Sequence, residues 1–547
     1  MLLGALLLYF LRFGYDYGNS DQDEVIPYVL HRLDPALFTQ DWFVNIQLSE
    51  FSVRTYFVWL IHALSLLLPV WLSVLIIYVA TWLAIGAAVY RLAFHFTRDQ
   101  LPSAAAVVLA LLLTPVWTLG GNDLVHSMLV ASMVGWAFAL WAVYHFLRSR
   151  YLLAPVLLGV ACWFQALVGL HIAMLLFFIR VIKFARGERA AHSLVGIAAF
   201  GMLFALWSSP SLGPIIYQQV FARAVDADPS LFYILAEFRL PHHYLPLSFH
   251  LHGVLRFALL AAAGVAALVW QPFRERLHDH DFIVYIIVQI VIFCAIGFLF
   301  TEILPILFVA KLQLFKMTVF AKLLFVILIS GAISFWLPHR LRNLARSVLR
   351  RPRWGMLVVV VLAATAVGLA VSSDGLLRER VRPFVRAESP LGRVQEWARR
   401  NTAYGAIFAV PPSISSFRSE AQRTIVINYK AIPYDDEQMV TWFRRLIDMA
   451  PVELPKRGGP DLPARLDSAF EALSVQRLVD LARQYRFNYV VRRTPLPPTT
   501  SPFREVYRAD GWLTYEFNPA IADSVEAPLP DSSRAVVDTA GVSLPEP

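Results

Sequence analysis

The chain is a train of apolar runs, most of them fifteen to twenty-five residues long and parted by short polar turns, until the pattern stops near residue 373. A helix needs roughly 20 apolar residues to cross the ~30 Å hydrocarbon core of a bilayer. By that measure spans are expected in the opening run and at 70–94, 101–119, 124–147, 152–168, 169–183, 192–209, 251–271, 281–300, 316–337 and 354–371, about eleven in all. The opening run, MLLGALLLYFLRFGYDYG, is short, with about eleven apolar residues before Arg12. It lacks a basic leading stretch and a small-x-small cleavage site, so it reads as a retained span. Either Phe13, Tyr15 and Tyr17 complete it as an interfacial belt, or the true start lies upstream.

Basic residues orient the spans. Reading 55–69 as a helix lying on the outer surface, rather than as a crossing, puts Arg91 and Arg98 inside. Arg148 and Arg150, then Arg180, Lys183, Arg186 and Arg189, then Arg274 and Arg276, and the dense run at 339–353 all follow on the same side. That is the asymmetry expected of cytoplasmic loops. The amino terminus is then cytoplasmic. The acidic loop at 14–54, the Gly120-Gly121-Asn122-Asp123 turn and the loop at 210–250 face outward. The segment 302–315 is read as a tilted or re-entrant helix entering from the outer face, the alternative being one long span kinked at Pro305.

Beyond residue 373 charges of both signs and prolines become frequent, as in a soluble domain. Helical spacing fits 391–400, 435–449 and 475–485, and β-rich runs start at Ala406, Thr424, Phe487 and Trp512. The expected fold is an all-α polytopic membrane domain over 1–373, a small extracytoplasmic α/β domain over 374–518, and a disordered tail over 519–547.

Composition agrees. Of 547 residues 58% are hydrophobic and only 16% charged, against about 45–50% and about 25% in soluble proteins. The net charge of +9 sits in short loops and forms no continuous basic face, which excludes a nucleic-acid partner. Cys162 and Cys294 lie within apolar runs and read as small buried hydrophobes. The chain has no internal repeat and no phosphate-binding G-x-x-x-x-G-K-[ST] loop, which argues against a secondary transporter and an ATP-driven pump.

Candidate chemistry gathers on the outer side. The loop GNSDQDEVIPYVLHRLDPALFTQDWF carries Asp21, Asp23, Glu24, Asp34 and Asp41 beside apolar spans. A general base must stand close to the hydroxyl or amine it deprotonates, and Asp23 with Glu24, and then Asp21, are placed for that. One of the aspartates also suits a helix cap, and Asp34 and Asp41 read as turn and anchor residues. In FRLPHHYLP, Arg239, His242 and His243 offer charge-assisted bonds to phosphoryl oxygens; adjacent histidines are poor joint metal ligands. Lys311, Lys316 and Lys322 lie in an apolar stretch; the first two suit an interface, and a deep Lys322 requires a partner. His126, His145 and His171 read as satisfied core groups. Trp397, Trp442 and Trp512 could stack on sugars, though the first two have core spacing.

The pairing Asp23-Glu24 after a first span, the interfacial helix at 55–69, the many spans and the outer α/β domain together resemble the GT-C class of membrane glycosyltransferases. The acidic loop, FRLPHHYLP, LQLFKMTVFAK, VPPSISSFR and ARQYRFNYVV look like an uncharacterised bacterial polytopic family related to that class. The resemblance implies a sugar donor carried on a polyprenyl phosphate, an envelope acceptor and a loop aspartate as base. Asp23, Asp21 and Glu24 would then be catalytic. Arg239, His242, His243, Lys316 and Lys311 would bind phosphate. No cofactor is implied, with a divalent metal left open. A non-catalytic polyprenyl-lipid-binding protein of the same fold is the alternative. A single transfer site requires the acidic loop and the Arg239/His242 group to line one cavity.

Overall fold

The computed structural model describes residues 1–115, 117–188, 193–220, 225–350, 389–497 and 502–526. The expected span at 354–371, the start of the soluble domain at 374 and the part of the expected tail beyond 526 lie outside the described residues, while the first residues of that tail, Pro519–Glu526, form a helix rather than a disordered segment.

The protein is a multi-pass membrane protein with an appended α/β domain. Helices α1 (Leu2–Phe13), α2 (Ile26–Leu33), α3 (Trp42–Ser49) and α4 (Thr55–Ser65) come first. Next are α5 (Val70–Thr97), α6 (Gln100–Val108), α7 (Ala131–Leu147), α8 (Leu153–Phe164), α9 (Ala166–Ala185) and α10 (Leu194–Val220). Then come α11 (Pro241–Tyr244), α12 (Leu251–Val269), α13 (Gln271–Arg274), α14 (His280–Phe298), α15 (Leu307–Lys311), α16 (Thr318–Trp336) and α17 (His339–Arg350). Among the described residues six helical segments are long and apolar enough to cross a membrane, beginning at Val70, Ala166, Leu194, Leu251, His280 and Leu307, the last counted across the break between α15 and α16; five apolar helices are shorter. Helix α4 has eleven residues, too short to cross at ~1.5 Å per residue, and it packs on α2, α5 and α8.

Four expected spans change. The runs at 101–119 and 124–147 lose their inner ends: α6 passes into a π-turn at Leu109–Leu113, and regular structure resumes only at Ala131. Pro115 disfavours helix at Thr114, and Gly120 and Gly121 take positive φ. Helix α8 ends at Phe164 because Gln165 is extended, four residues before the expected break. Helix α10 runs through Pro210 and Pro214, so the outer loop starts later than expected. The segment 302–315 is broken rather than continuous: a π-turn at Leu299–Ile303, short α15, Gln313 at φ 47 and a 3-10 turn at Leu314–Met317 lead into α16.

One end of the bundle is basic. Arg346 of α17 pairs with Asp99 after α5, and Arg186 approaches Asp281 at 3.8 Å. The other end carries the α/β domain, built from α18 (Pro390–Asn401), α19 (Phe417–Ala421), α20 (Asp436–Met449), α21 (Leu462–Glu471) and α22 (Val475–Tyr485). Its strands are β1 (Ile407–Ala409), β2 (Thr424–Ile425), β3 (Tyr489–Arg492), β4 (Phe503–Ala509) and β5 (Trp512–Phe517), in the order β2-β1-β3-β5-β4. The first three pair in parallel and β4 and β5 antiparallel. Ser389, Asp435 and Ser474 cap α18, α20 and α22 by accepting from backbone amides, which fixes where those helices start.

A candidate anion-binding site between the two domains

The acidic loop is tied down on both sides. Asp16 N–H donates to Ser127 O, Gln22 Nε2 donates to Leu129 O, and Ser20 N–H donates to Ser415 O of the α/β domain. Between these ties residues Ser20–Glu24 form a 3-10 turn. With three residues per turn, positions i and i+3 eclipse. Asp21 and Glu24 therefore share a side, and Asp23 is turned toward α19.

Asp23 is fully buried. Its Oδ1 accepts from Ser419 N (3.0 Å) and Ser419 Oγ (2.7 Å), its Oδ2 accepts from Asn428 Nδ2 (3.0 Å), and Arg418 Nη1 lies 3.8 Å away. Arg418 Nε also donates to Asp41 Oδ2 at 2.8 Å, while Asp41 Oδ1 accepts from Val44 N and caps α3. Both aspartates are thus pins that hold the α/β domain on the loop. This corrects the expectation for Asp23: a carboxylate with 0% exposure and every oxygen engaged has no room for an acceptor.

Glu24 is also enclosed, paired with Arg54, whose guanidinium stacks near Phe43 and Tyr434. Asp21 differs. Its side chain is 53% exposed, and its Oδ1 lies 2.6 Å from Lys430 Nζ of the α/β domain. Burial raises its carboxyl pKa, but Lys430, then His126 and Arg54, outweigh that and hold it below the ordinary carboxylate value. Asp21 is the carboxylate that faces open space.

The FRLPHHYLP segment arrives from the opposite wall. A π-turn at Tyr233–Arg239 and α11 present His242 and His243 side by side, rings 4.2 Å apart. The ring of His243 bonds through Nδ1 to Gly120 O, and a Cβ on Gly121 would stand 3.1 Å from that ring. Gly121 is at φ +65 besides, so both conformation and space call for glycine. Burial, and then neighbouring cations, depress His242 to about 4; burial and His242 depress His243 to about 3. Both imidazoles are neutral at pH 7, so they offer polar ring nitrogens and not the charge expected of them.

Arg239 does not point at a ligand. Its Nη2 donates to Lys430 O at 3.0 Å and its guanidinium covers Tyr429 at 4.4 Å, so it positions Lys430 instead. Lys311 is likewise spent: Nζ meets Asp436 Oδ1 at 2.5 Å and Gln219 Oε1 at 2.7 Å, tethering α15 to α20. Lys316 remains. It is 7% exposed and lies within electrostatic reach of Asp21 and His243, with no hydrogen bond or ion pair among the described residues. Lys322 has the partner its depth requires, Asp123, at 2.8 and 2.9 Å. His171 is satisfied by Leu312 O.

Asp21, Glu24, His242, His243 and Lys316 therefore converge with Arg54, Lys430 and Tyr434, which sequence reasoning did not single out, and with His126, which it read as a satisfied core group. Lys430 follows the β-rich TIVIN run as a lone basic residue, a weak signal. Three cations, Arg54, Lys316 and Lys430, face two carboxylates, and such a surplus favours an anion. Among the described residues the group with metal-ligand geometry lies elsewhere.

Residues 389–449, from α18 through α20, match a family described as a domain of unknown function, DUF6798. No curated protein matches the chain. Among solved structures it is similar to ArnT from Cupriavidus metallidurans bound to undecaprenyl phosphate, at 12% identity over 93% of this chain and 96% of that one, TM-score 0.48. The apo form of the same protein gives 14% identity over 94% and 97%, TM-score 0.45. An oligosaccharyltransferase of Archaeoglobus fulgidus with a tethered acceptor peptide gives 12% over 90% and 68%, TM-score 0.44.

Proposed function

We propose that the protein transfers a glycosyl group from a polyprenyl-phosphate-linked donor to an envelope acceptor at the outer face of the plasma (inner) membrane, with its amino terminus in the cytoplasm. The observation that carries this reading is the placement of accessible Asp21 in one recess with Lys430 and Lys316. Its sequence support is the resemblance to GT-C enzymes of a first span followed by an acidic loop, an interfacial helix, many spans and an outer α/β domain.

Asp21 takes the proton from the acceptor hydroxyl or amine as that atom attacks the anomeric carbon. The bond from that carbon to the phosphate oxygen breaks, and the phosphate leaves with the electron pair. Lys316 and Lys430 neutralise it, where a preorganised charge acts most strongly. An incoming phosphate that draws Lys430 away from Asp21 also removes the main group depressing its pKa, so donor binding prepares the base.

One observation favours a second reading, a non-catalytic polyprenyl-phosphate-binding protein: the ion pair with Lys430 makes Asp21 a weak base until it is released. Proteoliposomes carrying a lipid-linked sugar separate the two. With Asp21→Asn, transfer should vanish while polyprenyl phosphate still binds. Undiminished transfer by the variant overturns the catalytic role, and binding without transfer in the parent protein across sugar donors supports the second reading.

A further inference from the structure

The opposite, basic end of the bundle holds a cluster that the transfer site does not use. Helix α5 ends with His95-Phe96-Thr97, and the connection between α13 and α14 lays His278 and Asp279 against it. His278 N–H donates to Phe96 O at 2.9 Å, which fixes the two segments together. His95 Nε2 lies 2.7 Å from Asp279 Oδ2, and His278 Nδ1 lies 3.0 Å from the same oxygen. The two imidazoles stand edge to face with centroids 4.8 Å apart. Asp279 sits at φ 51, a left-handed conformation that turns its carboxylate back over His95. His95 is buried, while His278 and Asp279 are about two-fifths exposed.

We infer that His95, His278 and Asp279 form a binding site for a zinc-class divalent ion. All three ligand atoms lie within 4.8 Å of one another. Zinc bonds of ~2.0 Å in a tetrahedron set ligand atoms about 3.3 Å apart. The carboxylate oxygen, at 2.7 and 3.0 Å from the rings, would retreat by about 0.6 and about 0.3 Å, and the two ring nitrogens, within 4.8 Å of each other, would close toward about 3.3 Å; the exposed turn that carries His278 and Asp279 has room for both movements. Two nitrogens and one oxygen suit zinc, and calcium or magnesium would require more oxygens. Arg98 and Lys183 lie within electrostatic reach. The ion is therefore held by directional coordination and not by surplus negative charge, which again selects against the hard cations. The exposed side leaves a fourth position for water.

The ion would be structural. Tyr78 of α5 donates to His126 O at the transfer site, and His95 lies seventeen residues farther along that helix. At ~1.5 Å per residue the two sites are about 26 Å apart. The site instead clips the end of α5 to the entry of α14.

The test uses the full chain in detergent, without a histidine tag, equilibrated with zinc chloride and desalted. Elemental analysis should find about one zinc per chain in the parent protein and far less in His278→Ala and Asp279→Asn, both at exposed positions. Zinc, and not magnesium, should raise the unfolding temperature of the parent alone. Folded parent protein that retains no zinc overturns the inference, as does zinc retention by both variants equal to the parent's.

Discussion

Lys430 Nζ stands 2.6 Å from Asp21 Oδ1, a contact between the α/β domain and the loop after the first helix. It makes one recess of two domains. Burial raises the Asp21 pKa and Lys430 is the foremost group lowering it, so Lys430→Met should move the acid limb of the transfer rate to higher pH. A pH–rate profile of that variant against the parent measures the shift. An unmoved limb would mean that Asp21 is not the titrating group.

Asp21 and Asp23 should separate by what their loss damages. Asp23→Ala strands Arg418, Ser419 and Asn428 in a buried site and should cost about 3–5 kcal/mol, freeing the α/β domain to early proteolysis. Asp21→Asn, on an exposed side chain, should change stability by no more than about 0.5 kcal/mol. Thermal unfolding and limited trypsin digestion check both.

Lys316 is buried without an ion pair among the described residues, an arrangement that costs stability. Lys316→Met should therefore raise the unfolding temperature while weakening polyprenyl-phosphate binding about tenfold, the order expected for one charge-assisted phosphate bond. A variant that is more stable and binds normally would place the phosphate elsewhere.

His243 and His242 are depressed to about 3 and about 4 in the folded protein from an ordinary value near 6.5. The unfolded chain then binds protons that the folded chain refuses. Their contribution to stability is complete above pH ~6.5 and is lost as pH falls toward the folded values. Unfolding temperature should drop on acidification through that window. His243→Asn, which keeps a polar group beside Gly120 O, should flatten the drop.

The repetitive parts of this fold were readable in the chain. Hydropathy marked the long helices, and three of the domain's helices and four of its five strands appeared where helical spacing and β-rich runs placed them. Strand β4, FREVYRA, escaped because Arg504, Glu505 and Arg508 charge an edge that faces water. The irregular stretch 117–130 also escaped, since Leu124, Val125 and Leu129 are as buried as residues of a span. Choosing among the carboxylates was harder. In DQDE nothing local announces a 3-10 turn, and that turn decides that Asp21 faces the recess. What buries Asp23 is Ser419 and Asn428, about four hundred residues away. Lys311 and Lys316 look alike in sequence; only the position of Asp436 separates a tether from a free cation.

The shared recess is tested most directly by the affinity of the full-length protein for a short-chain polyprenyl phosphate, measured for the parent and for the double variant Lys316→Met, Lys430→Met. The two residues come from different domains and do not touch. Their losses should add, weakening binding about a hundredfold if each charge-assisted bond contributes roughly tenfold. Parent-like affinity in a folded double variant would contradict the account.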